Sequence, residues 1–340
     1  LRSISSSGIQ VPEPKLFDIP VKPFKTSSGK VQSTIKHPIL LPHELLHAIA
    51  TKYPDHLASL ECVSTNDFWR ELDRSDPKYL NHPIRTEPHK EVRGVPLVIH
   101  GDGAVYTTRQ ASIVSLQFKP LLAIGKASWD SVFMMTAFAK EAATKDTWPA
   151  LWRPIVGSLK AMYDLGVGER PIYGVPWLFS ADMEFLANEV GFPHWNANWS
   201  GSCGCCAFCD ASWEGPAHVL NRDGFVNLAH DDSGRDISEH PIWDIPGICR
   251  HSAVYEWMHT NDLGILTHLI GSTLAEFMLE GRGSHKQNLK EFWDESVCRM
   301  YADMKVANRI SVITKEMLGG KKGTFYNLSR CKAAEIRHVV

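Results

Sequence analysis

Three segments with the alternating pattern of β-strands follow one another between residues 95 and 139. They are VPLVIHGDGAVYT (95–107), ASIVSLQFKPLLA (111–123) and SVFMMTAFA (131–139). In the second segment, Ser115 and Gln117 alternate with apolar residues, as in a strand whose two faces differ. Because the connections are short, we expect three antiparallel neighbours in one sheet.

A helix, a fourth strand and a second helix follow this group. Apolar residues recur at helical spacing from Leu151 to Met162. The strand pattern GVPWLFSAD (174–182) then leads into the helical DMEFLANEV (182–190). This order predicts an α/β fold with a mixed sheet and flanking helices.

We expect four parts along the chain. They are an irregular and helical N-terminal region (1–90), the first part of a core (91–200), an insertion with a Cys cluster and helices (201–325) and a final core helix (326–340). Within these parts, residues 1–37 are predicted to be irregular. Residues 252–318 are predicted to be helical, with a stripe of Val306, Ile310, Ile313 and Met317.

The first core strand carries one acid, Asp102, between Gly101 and Gly103. A carboxylate in a buried strand needs a partner, and a hard cation is a suitable one. The glycines would leave room for a metal or a phosphate backbone. The competing interpretation is an Asp-Gly turn at the end of the strand.

Two further acids occupy comparable positions. Asp182 stands where the fourth strand meets its helix, where it could equally be a helix cap. Glu335 lies in CKAAEIRHVV, a predicted helix that also carries Lys332 and Arg337, and it could be an ordinary surface charge. Three acids together would supply oxygen ligands for two Mg²⁺ ions that promote phosphoryl transfer.

Four stretches in this order resemble the DDE transposases, which have an RNase H-like fold. They are IHGDGAVY, SADMEFLANEVGFPHWNANWS followed by CCAFC, WMHTNDLGILTHLIGSTLAE, and YNLSRCKAAEIRHVV. The chain is most similar to large eukaryotic cut-and-paste elements of the Plavaka and KDZ kind and to proteins derived from them. The resemblance implies an RNase H-like core with a mostly helical, zinc-containing insertion.

The resemblance also implies a site and an activity. The family has its first Asp on strand one, its second after strand four and its Glu on the final helix, which here match Asp102, Asp182 and Glu335. These would hold two Mg²⁺ or Mn²⁺ ions for DNA strand cleavage and transfer, with Lys332 and Arg337 near the phosphates. Transposon ends and target DNA would be the partners of a nuclear homo-oligomer.

One departure from the family leaves a second function open. Many relatives carry a Cys or Asp three residues before a His in the insertion, whereas this chain has Glu256 before His259. The longer side chain displaces the carboxylate, which puts the geometry or the activity in doubt. The alternative is a domesticated protein that binds DNA without cleaving it.

The cysteine pattern indicates a structural zinc site. Cys206 and Cys209 have the spacing of half such a site. Cys203 and Cys205 are close by, and at least one of them is expected to be a spare thiol. The remaining candidate ligands are Cys249, His251, His259 and His268, of which Cys249 and His251 are the best spaced and His259 is favoured by the resemblance.

A third function is suggested by PHELLHAIA, which contains His43, Glu44 and His47 in the HExxH order of zinc metalloproteases. Pro42 places His43 in the first helical turn, and no Gly-x-x-His extension follows. A short amphipathic helix explains the segment more simply.

Bulk properties add two expectations. The formal net charge of −2 gives no overall basic field. The five lysines between residues 15 and 36 form either a local basic region or a solvated linker, of which we expect the linker. No run of 18 apolar residues and no signal-peptide core occur, so we expect neither a membrane span nor a membrane partner.

Overall fold

The computed structural model describes residues 12–55, 64–105, 111–123, 131–190, 240–256, 262, 265–280, 282–305, 310, 312–319 and 327–328. Two compact units divide the chain, Leu1–Val254 and Tyr255–Val340.

The strands are β1 (Lys15–Lys25), β2 (Val31–Ile39), β3 (Gly94–Val105), β4 (Ser112–Pro120), β5 (Phe133–Ala139), β6 (Tyr173–Ala181), β7 (Ala253–Tyr255), β8 (Leu318–Gly319) and β9 (Asn327–Leu328). The α-helices are α1 (Pro42–Lys52), α2 (Thr65–Glu71), α3 (Pro77–Asn81), α4 (Pro88–Val92), α5 (Thr147–Asp164), α6 (Met183–Glu189), α7 (Leu266–Glu280), α8 (His285–Phe292) and α9 (Cys298–Asp303).

A mixed five-stranded sheet forms the centre of the first unit, with strand order β5-β4-β3-β6-β7. The strand β3 pairs antiparallel with β4, and β4 pairs antiparallel with β5. On its other side β3 pairs parallel with β6, which the chain reaches through α5. The predicted meander, the helix and the fourth strand are therefore confirmed, and the fold is α/β.

Helix α5 packs on this sheet through large apolar side chains. Trp152 is fully buried, and its ring meets that of Phe179 on β6 edge to face at 5.9 Å. Farther along, Met162 lies directly over Gly174 of β6, where a Cβ would overlap its thioether. The helix thus covers one face of the sheet from Gly174 to Phe179 of β6.

A hairpin occupies the segment that was predicted to be irregular. Strands β1 and β2 pair antiparallel from Lys15 opposite Ile39 to Lys25 opposite Val31. Ile19 and Ile39 are fully buried, which anchors the base of the hairpin. The expectation of a solvated linker was wrong, because prolines interrupt the alternation by which a strand is recognised and cause an irregular register after Pro20.

In the second unit, α7, α8 and the π-helix Trp293–Val297 surround an apolar cluster. Its buried members are Ile270, Leu274, Met278, Leu289, Trp293, Val297, Tyr301, Ile310, Ile313, Leu318 and Leu328.

The prediction that residues 252–318 are helical is correct for α7, α8, the π-helix and α9, and it is wrong near the two ends of that range. Ala253–Tyr255 is the strand β7, and α9 ends at Asp303, shortly before Lys305 with a φ of 51°. Among the described residues beyond it, Lys315–Met317 form a short 3₁₀ turn. Ile310 and Ile313 are buried in the cluster, although neither lies in a helix. Their spacing in the sequence therefore does not mark one face of a helix.

Candidate active site

Asp102 lies near the end of β3, half-buried, opposite Ser115 of the antiparallel neighbour β4. The Ser115 hydroxyl donates to the carbonyl oxygen of Asp102 at 3.4 Å. The Gln117 amide donates in turn to the Ser115 hydroxyl at 2.8 Å. The polar residues that alternate along β4 therefore support the strand that carries the acid.

Asp182 directly follows β6 and caps helix α6. One of its carboxylate oxygens accepts a hydrogen bond from the backbone N–H of Phe185 at 2.5 Å. The helix-cap interpretation of this residue is thus confirmed. A cap orients one oxygen of the carboxylate toward the helix and restricts the side chain to a narrow range of orientations.

The sheet register brings the two acids together. Gly101 of β3 pairs with Ala181 of the parallel strand β6. Asp102 directly follows Gly101 in the sequence, and Asp182 directly follows Ala181. Adjacent strands lie about 4.8 Å apart, so the two acids occupy neighbouring positions near the carboxyl ends of β3 and β6. Carboxylates at neighbouring positions supply oxygen ligands of the kind that hard cations prefer.

The two glycines beside Asp102 have different roles. The ring of Phe185 on α6 occupies the space above Gly101, where a Cβ would overlap it. At Gly103 a Cβ would meet only the Val114 Cγ2, at 4.0 Å. The expectation that both glycines leave room for a ligand was therefore wrong for Gly101, which allows α6 to pack on β3 and hold Asp182 beside Asp102.

Three further charged residues that the sequence motifs did not indicate lie near this pair. Lys140, directly after β5, forms an ion pair of 2.7 Å with Glu184 of α6. Glu189 lies seven residues after Asp182, at the C-terminal end of the same helix, and is only 6% exposed. A spacing of seven residues repeats on one helix face, and this spacing was the signal available in the sequence.

Burial raises the pKa of Glu189 to about 7. The nearby positive charge of Lys140 lowers this pKa, while the negative charges of Glu184 and Asp182 raise it further. Glu189 is therefore a buried carboxyl group that titrates near neutral pH, coupled electrostatically to the residue that caps its own helix.

The other predicted ligands are only partly within the described residues. Glu335, Lys332 and Arg337 lie outside them, as do Cys206, Cys209 and His259. Cys249 is a half-buried free thiol whose sulfur lies 3.5 Å from the Ser252 hydroxyl.

His251 follows Cys249 in a 3₁₀ turn, Arg250–Ser252, and is also half-buried. Within the described ranges, no three His, Cys, Asp or Glu side chains are grouped so that they could hold a metal ion. The predicted zinc set and the third acid each depend on residues outside those ranges.

The HExxH segment forms helix α1, with Pro42 at its first position and Leu45, Leu46 and Ile49 buried. The Nδ1 of His43 shares a 2.8 Å hydrogen bond with the Ser158 hydroxyl, and Glu44 forms an ion pair with Lys15. His43, Glu44 and His47 line an open depression of about 640 Å³. The amphipathic-helix interpretation is confirmed by these buried leucine and isoleucine side chains.

Comparisons with known proteins identify no family for this chain. No protein-family model matches it, and no curated protein matches it. No helix in the described part of the chain combines the length and apolar character that crossing a membrane requires.

Proposed function

We propose that the chain is a transposase-like enzyme of the DDE type, which cleaves and joins DNA strands. The observation that carries this proposal is the side-by-side placement of Asp102 and Asp182 at the ends of two parallel strands. Ligands of open α/β sheets bind outside the carboxyl ends of strands, at the point where the connections diverge. Here the chain leaves β3 toward β4 on one side and returns through β6 on the other.

The order of elements supports an RNase H-like core. Three antiparallel strands, a helix, a fourth strand and a second helix follow one another in the order that the resemblance implies, and the fourth strand pairs parallel with the first. Counted within this core, the first acid is on strand one and the second follows strand four. Glu335 on the last segment completes the set through the resemblance alone.

The two described acids have suitable chemistry for Mg²⁺ or Mn²⁺. Both are half-buried carboxylates, Asp102 within β3 and Asp182 directly after the adjacent β6, and oxygen ligands are those that hard cations prefer. Asp102, Asp182 and Glu335 would hold two ions. When bound, such ions supply an activated water or 3′-hydroxyl and stabilise the leaving oxygen.

The protein groups around the acids hold them in position. The Phe185 N–H fixes the Asp182 carboxylate, and Phe185 itself packs over Gly101 next to Asp102. Lys140 pairs with Glu184 and so limits the negative charge that accumulates at this edge of the sheet. Lys332 and Arg337 are proposed to contact DNA phosphates.

Cys206 and Cys209, with partners among Cys249, His251 and His259, are proposed to bind a structural Zn²⁺. A site with four protein ligands would contribute stability and leave no open position for water. The remaining features that the resemblance implies are a homo-oligomer in the nucleus, with transposon ends and target DNA as substrates.

Two other functions are less well supported. Glu256, at the position where many relatives have Cys or Asp, favours a domesticated DNA-binding protein without catalysis. A metalloprotease would need both imidazoles and Glu44 for zinc and water, yet Ser158 holds His43 and Lys15 pairs with Glu44.

Cleavage of labelled DNA with and without Mn²⁺ tests the proposal. We expect metal-dependent nicking or joining that Asp102→Asn abolishes, because Asn retains the shape and loses the charge that binds the ion. Loss of an essential ligand costs several kcal/mol of transition-state stabilisation, or on the order of a thousandfold in rate. Asp164→Asn, at an exposed position at the end of α5, is the matched control and should cleave normally.

If the unmodified protein cleaves DNA and Asp102→Asn cleaves equally well, the metal role of Asp102 is wrong. If both proteins bind DNA and neither cleaves it in Mn²⁺, the domesticated function replaces the enzymatic one. Peptide hydrolysis that requires zinc and is lost in Glu44→Gln would instead establish the protease.

A further inference from the structure

The hairpin of β1 and β2 is the most basic segment of the first unit. Residues 19–43 contain Lys22, Lys25, Lys30 and Lys36 and no acidic residue. A segment of 25 residues with this composition has a local positive field that the net charge of the chain conceals.

The outer half of this hairpin extends beyond the core. Residues 22–33, which we call the basic ribbon, are all exposed except the half-buried Thr26. Two apolar side chains on it are also exposed, Phe24 at 42% and Val31 at 61%. An exposed two-stranded ribbon with both lysines and apolar side chains has no role in the core and is suited to a partner.

The lysines differ in their intramolecular contacts. Lys15 pairs with Glu44 and Lys36 with Asp18, both outside the basic ribbon. Within the ranges that the structure covers, no carboxylate forms an ion pair with Lys25 or Lys30. The charges at the tip are therefore the ones available to a partner.

The basic ribbon begins at the end of the sheet where β5 finishes, and the acid pair lies at this same end. The Lys22 ammonium donates to the carbonyl oxygen of Glu141 at 2.8 Å, in the turn that directly follows β5. Ile113 of β4 is opposite Ala104 of β3 on one side and Ala139 of β5 on the other, so β3 and β5 run in the same direction and end together.

The contacts continue from the ribbon toward the acids. Lys140, the neighbour of Glu141, pairs with Glu184 of the helix that Asp182 caps. A nucleic-acid strand at the acid pair would therefore have the basic ribbon beside it.

We propose that the basic ribbon binds the phosphate backbone of the DNA on which the acid pair acts. This proposal rests on the proposed function, because DNA is inferred as the partner from the neighbouring acid pair. Lysines that contact phosphates supply affinity and register without reading sequence. A two-stranded ribbon also fits the major groove of duplex DNA, where Phe24 would provide apolar contact.

Binding without metal separates this proposal from catalysis. Fluorescence anisotropy of a labelled duplex of about 30 base pairs would be measured in EDTA over a series of salt concentrations, on the order of 50–200 mM. The test variant is Lys25→Gln/Lys30→Gln. The matched control is Lys119→Gln/Lys160→Gln, which removes two equally exposed charges from β4 and α5.

We expect the ribbon variant to bind several-fold more weakly at low salt. Its plot of log affinity against log salt should be shallower by about 0.9 per lost phosphate contact, or about 2 in total. The control should keep the slope of the unmodified protein.

Equal slopes for the ribbon and control variants would overturn the proposal, as would absence of duplex binding by the unmodified protein at low salt. A ribbon variant that binds DNA normally but loses affinity for polyglutamate would indicate an acidic protein partner instead. If the ribbon variant behaves as expected and no cleavage occurs in Mn²⁺, the ribbon proposal stands and the phosphoryl-transfer proposal fails.

Discussion

Replacement of Glu189 by glutamine should make the chain more stable at alkaline pH. Glu189 is buried on α6, and its pKa of about 7 lies above the ordinary value of 4.5. The folded chain therefore holds this proton more tightly than the unfolded chain. The stability that the protonated form provides is present below about pH 4.5 and is lost as the pH rises through 7.

The magnitude follows from these two pKa values. Between about pH 5 and pH 8, ionisation of a group with these values costs about 2 kcal/mol, and no more than ~3 kcal/mol. The glutamine side chain does not ionise, so Glu189→Gln should match the original chain at about pH 5 and exceed it by about 2 kcal/mol at pH 8. Burial lowers the pKa values of His82 and His240 to about 4, so both histidines are largely neutral in the folded chain at both pH values.

Urea denaturation in EDTA at both pH values, followed by tryptophan fluorescence, measures this difference. Glu169→Gln is the control, because its side chain is exposed and its charge is not among those that shift the pKa of Glu189. A stability difference between Glu189→Gln and the original chain that is the same at both pH values would refute the reasoning.

Three further predictions concern the packing and ligands of the site. Gly101→Ala should cost ~1–3 kcal/mol in the free energy of unfolding because its Cβ overlaps Phe185, whereas Gly103→Ala should change it little; thermal unfolding compares them. Asp182→Ala should cost ~0.5–2 kcal/mol through loss of the helix cap, whereas Asp182→Asn should retain stability and lose Mn²⁺ binding. Elemental analysis should find one zinc per chain, and Cys206→Ser should lose it; absence of zinc from the original chain contradicts the site.

The strands of the core were predictable because each has strong apolar character bounded by turn residues. The segment around Asp102 and the strand before Asp182 were both placed correctly, and so was the cap role of Asp182. The pairing of β3 with β6 depends on contacts between residues about 80 positions apart, to which local periodicity is insensitive. Before the structure, the proximity of Asp102 and Asp182 was expected only through the family resemblance, because local patterns could not predict it.

Other features were missed for identifiable physical reasons. Pro20 and Pro23 interrupt the strand pattern of the hairpin, so it was not recognised in the sequence. Its burial depends on contacts with α5, which lies more than 100 residues away in the sequence. Gly101 was interpreted as space for a ligand, because a sequence does not show which side chain fills the gap that a glycine leaves. Glu189 was not singled out in the sequence, because no local pattern shows that the fold buries its side chain.

The most direct test of the account is an experimental structure of the chain crystallised with Mn²⁺, with the ions located by their anomalous scattering. The account predicts Mn²⁺ bound between Asp102 and Asp182, with the Glu335 carboxylate within about 10 Å of both, close enough for the three to share two ions. Mn²⁺ bound elsewhere, or Glu335 on the opposite side of the sheet, would contradict the proposed active site.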